Sequence, residues 1–499
     1  MASGTNAAQV IEEKAPRAVP QDRRYVGSKE TIAYILDDIS QSFNITKYQD
    51  IFVTDILKIG LKFQEIVTFI IGIWDVINDV FLAAIVDKTR TRWGKFKPWL
   101  VIYAIPGVFM TILFWATPIF FGNKGLYDVS KLAFYLILQL FSNLASSLIA
   151  IVRTGMTATI TPNIIDRTRL ITQANLLSGF VEKAPEILMG VLIDLVSRGA
   201  LKIQMRSLYV SAGIVTSVVA GGFALMYAFV AKERVMQSVD TPKIKDSVKS
   251  IVTNKPLLLI TLSEFLSAFS ISSGVNYYYI NVLGLASMST IVGIPGAVVS
   301  PISYSYVPWA RSKFSTKALW IAGSHVDNIL LIGVFLVGSV NKNYKKLGAM
   351  IPAWMIRETI WMFFYGIKKV IPEEMRNEAI DYGEWKNGYR TEGMTGVAKG
   401  LATKLVSTLG NTIKTMILSR IGYVQGAGFG GQSEATEYSL FWMCTILPVV
   451  TGLLGIIPKL FYDLSGEKRD RMYAELRERR NAIKAQVDEF NGTPSDENN

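Results

Sequence analysis

The sequence predicts an all-α membrane protein with twelve transmembrane helices, arranged as two pseudo-symmetric six-helix halves around a central cavity. Three observations lead there. The 499 residues are 50% hydrophobic and only 18% charged, with a mean hydropathy of +0.30, too apolar for a soluble chain of this length. Apolar segments of the roughly 20 residues that a bilayer requires recur about twelve times. Lys and Arg, 52 against 40 Asp and Glu, gather in short connections and tails, as on the cytoplasmic side of membrane proteins. The net charge of +12 and isoelectric point near 9.4 therefore speak of orientation in a membrane and not of nucleic-acid binding.

The N-terminal tail, 1–29, has no apolar core of the kind a cleavable signal needs. The N-terminal half, 30–232, holds spans near 30–56, 61–87, 97–121, 129–162, 167–196 and 204–231. The first, IAYILDDISQSFNITKYQDIFVTDIL, is so polar that it survives in a bilayer only by facing a bundle interior or a water-filled cavity. A basic linker, 233–254, separates it from the C-terminal half, 255–463, with spans near 255–284, 287–308, 315–340, 348–378, 391–422 and 435–463. The tail, 464–499, reads as a solvated charged helix. Basic residues in the N-terminal tail and in the loops 88–97, 166–169 and 311–317 fall on one side and place both termini in the cytoplasm. PWARSKFSTKALW after the eighth span is a reduced counterpart of the basic loop after the second, a trace of the internal symmetry expected of transporters.

The second span, TFIIGIWDVINDVFLAAIV, carries Asp75 and Asp79. An i, i+4 spacing puts both carboxylates on one helix face about one turn apart, where two anions repel each other and resist leaving water. A cation must lie between them. Na⁺, Li⁺ or a proton is the first reading, since intramembrane carboxylates mark ion and solute pathways; a structural pair with a Lys or Arg of a neighbouring helix is the alternative. The lone Cys444 excludes a disulfide framework within the chain and a cysteine-built metal site. His325, the single histidine, reads as a hydrogen-bonded packing residue. With no catalytic triad, P-loop or dinucleotide fingerprint, neither an enzyme nor an ATP-driven pump is expected, and no cofactor.

The string WDVIND followed by Asp87-Lys-Thr-Arg-Thr-Arg-Trp-Gly-Lys-Phe-Lys-Pro-Trp99 resembles the loop between helices II and III of the glycoside-pentoside-hexuronide:cation symporters, the melibiose permease family of the major facilitator superfamily. Asp381-Tyr-Gly-Glu-Trp-Lys-Asn-Gly-Tyr-Arg-Thr-Glu-Gly393 is similar to that family's loop between helices X and XI. The resemblance implies the major facilitator fold, a cation site at Asp75, Asn78 and Asp79 for Na⁺ or Li⁺ if the coupling ion is not H⁺, and a cavity-facing Lys404 in helix XI. It also implies a substrate carboxylate at Asp38, with Asp37 beside it. Trp354 is a candidate to stack on a sugar ring, as are Tyr48, Tyr277, Tyr278 and Trp361. Arg90, Arg92, Lys95, Asp166, Arg167, Glu384 and Arg390 would form a cytoplasmic charge network holding the outward-open state.

The sequence also departs from the pattern. Arg153 stands where melibiose permease-like proteins carry a sugar-binding Asp, the arginine expected in helix V falls near Ala174 or Asn175, and Gly400 replaces a possible hydroxyl of the cation site. Glu182, Lys183 and Glu186 are either a relocated binding network or a self-satisfied cluster that also neutralises Arg153. The expectation is a monomeric secondary transporter of the bacterial cytoplasmic membrane, driven by an Na⁺ or H⁺ gradient, whose solute is a glycoside or related sugar. The alternatives are an acidic solute bound at Arg153, or a non-transporting sensor or scaffold on the same fold.

Overall fold

The computed structural model describes residues 24–89, 91–161, 164–181, 183–234, 253–267, 274–387, 392–464 and 466–490, and all regular structure among them is helical. Helix α1, Ser28–Ser42, is followed by short turns over Thr46–Tyr48, Gln49–Ile51 and Phe52–Ile56. Then come α2 (Leu61–Lys88), α3 (Lys97–Phe121), α4 (Val129–Thr159), α5 (Ile164–Val181), α6 (Ala184–Ser197) and α7 (Met205–Val230). Beyond the linker lie α8 (Lys255–Ser267), α9 (Val275–Asn281), α10 (Met288–Ser305), α11 (Val307–Lys313), α12 (Thr316–Ser339), α13 (Leu347–Phe363), α14 (Tyr365–Asn387), α15 (Glu392–Arg420), α16 (Glu434–Leu454), α17 (Ile456–Leu460) and α18 (Glu467–Phe490).

Local chemistry sets several of these boundaries. Asp128, Ser315 and Ser433 cap α4, α12 and α16, each accepting the backbone N–H three residues on at 3.0 to 3.2 Å, which satisfies a donor that a helix start would leave orphaned. Pro308 opens α11, and α10 and α11 meet at 54° because proline removes a backbone donor.

Among the described residues, five helices are long and apolar enough to cross a membrane unaided, namely Lys97–Phe121, Val129–Thr157, Met205–Val230, Thr316–Lys345 and Glu434–Leu460, and the bent α10–α11 pair makes a sixth if it is one span. Helix α2 has the length but carries Asp75 and Asp79 among its polar residues. Such helices enter a membrane by turning charge toward one another.

One core cluster draws only on residues from Val26 to Ala231 and another only on residues from Leu257 to Leu476. A third mixes the two groups, with Phe52, Trp115 and Tyr209 packed in one assembly with Tyr277, Trp354 and Phe441. Apart from the bond from Lys404 to Ser147, the hydrogen bonds described between the groups gather at the end opposite the Thr91–Gly94 turn. There Tyr423 Oη and the Gly426 N–H donate to Asp55 at 2.8 and 3.0 Å, and Gln425 Nε2 donates to the carbonyls of Thr54 and Ile59 at 3.0 and 2.7 Å.

That end also contains the turn joining the broken first segment to α2. Lys58 there has φ +53°, a left-handed conformation unfavourable for a residue with a Cβ. Lys131, fully buried, holds the turn by donating to the carbonyls of Leu57, Lys58 and Lys124 at 3.1, 2.8 and 3.3 Å. Replacing Lys131 with Met keeps the bulk and strands three carbonyls. Thermal unfolding of purified protein is expected to show a loss of about 1–3 kcal/mol, whereas an unchanged transition would show that water serves the turn equally well.

Candidate cation and solute site

Helix α2 crosses α15 at Gly72, where a Cβ would stand 1.9 Å from Thr408 Cγ2. This close approach, possible only without a side chain, brings Asp75 onto Lys404. Lys404 Nζ lies 3.0 Å from Asp75 Oδ2, the other oxygen, Oδ1, accepts the Ser147 hydroxyl at 2.8 Å, and Lys404 also donates to Ser147 Oγ at 3.3 Å. A carboxylate, a lysine and a hydroxyl from α2, α15 and α4 thus close a triangle. Asn78 is buried, and its Nδ2 has no partner among the described residues. The side chain of Asp79 lies outside the described residues.

The triangle borders a cavity of about 570 Å³ whose wall includes Asp75 and Lys404. Its lining is dominated by neutral hydrogen-bonding side chains, among them Gln64, Gln139, Asn143, Ser407, Thr408 and Asn411, with Phe114, Trp115 and Tyr135 as an aromatic edge. That mixture suits a polyhydroxylated ring with one apolar face. Lys414 stands ten residues beyond Lys404 on α15, about 15 Å along the axis, and also borders the cavity. Its ammonium is buried and paired with Asp50, and it donates to Asn411 Oδ1 at 3.3 Å.

A second cavity, about 470 Å³, shares Thr46, Thr111, Trp115, Ser142 and Ser146 with the first and reaches Arg153. Arg153 pairs with Asp37 of α1 at 2.6 Å and donates to Ser40 Oγ at 3.2 Å. Its described carboxylate partner is therefore Asp37, where the sequence suggested Glu182 or Glu186. Lys183 and Glu186 approach each other at 4.0 Å, and Glu182 lies outside the described residues. Asp38 accepts the Ser178 hydroxyl at 2.6 Å.

Trp354 is not brought to either cavity. It is buried in the mixed core, edge-on to Tyr279 at 5.7 Å, with the Arg357 guanidinium 5.8 Å from its ring. His325 is held between Lys459 Nζ at 2.9 Å and Asn328 Nδ2 at 3.2 Å, a packing arrangement.

At the end carrying the Thr91–Gly94 turn, Asp166 accepts the N–H groups of Tyr25 and Val26 at 3.0 and 3.1 Å and lies 3.5 Å from Arg169. The backbone of Lys95 donates to Glu233 at 2.9 Å, and the Arg92 guanidinium sits 5.8 Å from the Trp93 ring. Glu384 lies on α14. Arg90, Arg390 and the Arg167 side chain fall outside the described residues. Glu233, which gathers the N–H groups of Lys95, Phe96 and Lys97, was not singled out from sequence. Neither were Asp50, Ser147 and Lys414, although a lysine in the apolar run TIKTMIL carries the signal that marked Lys404.

A family model described as MFS/sugar transport protein matches residues 41–466. The chain belongs to that family. Within it the protein is a glycoside-pentoside-hexuronide symporter family member, a transport protein and not an enzyme. It is 26% identical to "Uncharacterized symporter YnaJ" of Bacillus subtilis over 92% of this chain and 97% of that protein. It is 23% identical to "Glucuronide carrier protein homolog" of Escherichia coli over 90% and 95%, and 23% identical to "Isoprimeverose transporter" of Lactiplantibacillus pentosus over 94% and 95%. Among solved structures, a bacterial homolog of the human lysosomal transporter Spinster in an inward-facing conformation superposes with TM-score 0.55 at 12% identity, covering 87% of this chain and 95% of that one. The inward-open Escherichia coli xylose transporter XylE gives 0.52 at 13%, covering 88% and 96%. At these identities the structures share the major facilitator fold with this symporter family member.

If Asp75 and Lys404 neutralise each other, removing either leaves a charge without its partner. Asp75→Asn and Lys404→Met are expected to lower the thermal midpoint individually, and the double variant to lose less than the sum of the two. Additive losses would show that the groups do not act as a pair.

Proposed function

We propose that the protein is a cation-coupled symporter that accumulates a neutral glycoside of mono- to disaccharide size by alternating access. The observation that carries this reading is the Asp75–Lys404–Ser147 triangle on the wall of a polar cavity. A monovalent cation, Na⁺ or H⁺, enters the face formed by Asp75, Asn78 and Asp79 and takes over the neutralisation of Asp75. Lys404, released, turns to the solute, while Ser147 keeps the carboxylate oriented. Ion and solute binding are thereby linked, since each removes a cost the other would otherwise meet.

The neutral lining supports an uncharged solute. Charged groups on the cavity walls have protein partners: Arg153 has Asp37, Lys404 has Asp75 and Lys414 has Asp50. An acidic solute would have to displace one of these. Arg153 then acts at the second cavity, which it borders, as a positioning group for the sugar hydroxyls, and Asp38, which accepts the Ser178 hydroxyl, is proposed as a further one. The architecture we propose is twelve spans in two halves, 30–232 and 255–463, as a monomer in the bacterial cytoplasmic membrane, with the loop 88–97 and both termini in the cytoplasm. In that frame the bonds clustered at the far end close the outside, and the conformation is inward-facing. Arg90, Arg92, Lys95, Asp166, Arg167, Glu384 and Arg390 would engage one another when the carrier reverses.

Gradient-driven uptake into vesicles is the test. Asp75→Cys and Asp79→Cys are each expected to abolish cation-dependent accumulation with expression intact, and normal accumulation by either variant would contradict the cation site. Arg153→Gln separates the solute classes. With Asp37 as the true partner, the variant loses thermal stability and weakens a glycoside and its matched glucuronide alike; selective loss of the glucuronide would instead assign Arg153 to an acidic solute.

A further inference from the structure

The loop before α10 is joined to the other half by a buried carboxylate of α6. The N-cap residue of α10, Ser287, makes no side-chain cap, and the Met288 and Thr290 N–H groups turn back to the Leu285 and Ser287 carbonyls. The two N–H groups just before the helix are taken from α6: Asp194, buried, accepts the Ala286 N–H at 2.5 Å and the Ser287 N–H at 3.0 Å. A carboxylate at the positive end of a helix dipole is favourable beyond the two hydrogen bonds themselves.

Space around this contact is restricted. A Cβ on Gly190, one turn before Asp194, would lie 2.6 Å from Tyr48 Oη and 3.3 Å from the Ser287 Cα. Asp194 and Asp55 both line a cavity of about 380 Å³ at the end where Asp55 accepts Tyr423 Oη and the Gly426 N–H. Both carboxylates belong to the first half of the chain, and their four donors all belong to the second.

We infer that Asp194 is an acceptor supplied in trans to the loop that opens α10, a positioning residue that holds this contact only while the far end is closed and so sets the inward-to-outward equilibrium of the carrier. Gly190 is what lets the carboxylate arrive. When the halves part at this end, the Ala286 and Ser287 N–H groups lose their acceptor and Asp194 loses both donors, a penalty confined to the open state. Asp55 acts beside it in the same direction. This rests on the alternating-access reading, and it assigns the gate to charge and helix-dipole contacts across the halves, separate from the cation site at Asp75.

Pulsed electron spin distance measurements on the full chain in lipid nanodiscs test it without any transported solute. The buried Cys444 is replaced by Ala, and labels are placed at Lys202→Cys with Ser339→Cys for the far end, or Thr91→Cys with Ser312→Cys for the opposite end. Asp194→Ala is expected to raise the ratio of open to closed populations at the far end about fivefold, the order expected for the loss of one buried hydrogen-bond acceptor, with reciprocal shortening at the opposite end. Gly190→Val, which wedges the same contact, is expected to do likewise. Should Asp194→Ala fail to fold, Asp194→Asn is measured in its place and is expected to shift both ends in the same sense. Unchanged distributions in the folded variants, or broadening at both ends without reciprocity, would overturn the assignment. If Na⁺ and a panel of glycosides move neither distribution in the unmutated gate, it is the transport reading that fails, while the effect of Asp194 on the resting distribution still decides the role of its contact with the loop before α10.

Discussion

Burying an ionised carboxylate in a bundle that must also sit in lipid is the constraint on which this structure turns. Asp75 resists leaving water by several kcal/mol, and the chain answers with Lys404 at 3.0 Å and Ser147 at 2.8 Å. Bringing those groups together requires α2 and α15 to touch, hence the bare backbone at Gly72 against Thr408. It also requires α15 to carry lysines through an apolar environment, which is tolerable because Lys414 finds Asp50 in the same way. The polar helices fail a simple hydropathy criterion for the same reason that they function: their charges are addressed to each other across the two halves.

A consistent polarity runs through those contacts. Asp50, Asp55, Asp75 and Asp194 of the first half meet Lys414, Tyr423 with Gly426, Lys404, and Ala286 with Ser287 of the second. Acceptors face donors, so the halves attract in the conformation described, and each conformational step must exchange one set of partners for another. In the proposed mechanism, a cation at Asp75 would make that exchange possible at the centre by substituting for Lys404 in place. Linkage of about 1–3 kcal/mol between ion and solute is within reach of a single such exchange of charge-assisted hydrogen bonds.

Much of this was legible in the sequence, for physical reasons. Asp75, Asp79 and Lys404 stand out because charge inside a long apolar segment is rare and costly, and the basic loop after α2 stands out because composition marks loops more sharply than helices. What escaped was pairing. The sequence offered the Glu182–Glu186 cluster as the counter-charge of Arg153, yet the partner described is Asp37, more than a hundred residues away, and no local pattern encodes that separation. Nor does anything local to Asp194 encode that it accepts the Ala286 and Ser287 N–H groups of the other half. Trp354 had the right chemistry for sugar stacking, but its packing on Tyr279 depends on how two helices are rotated, which hydropathy does not fix.

The central claim is that one carboxylate serves the cation and Lys404 in turn, and equilibrium binding addresses it most directly. Solute affinity with and without saturating cation, and cation affinity with and without saturating solute, are measured by calorimetry in the unmodified protein and in Lys404→Gln. The account predicts that the two ratios are equal in the unmodified protein, as linkage requires, and that in Lys404→Gln the cation binds more tightly while both ratios fall toward one. Cation affinity unchanged or weakened by Lys404→Gln, with coupling intact, would show that Lys404 does not compete for Asp75.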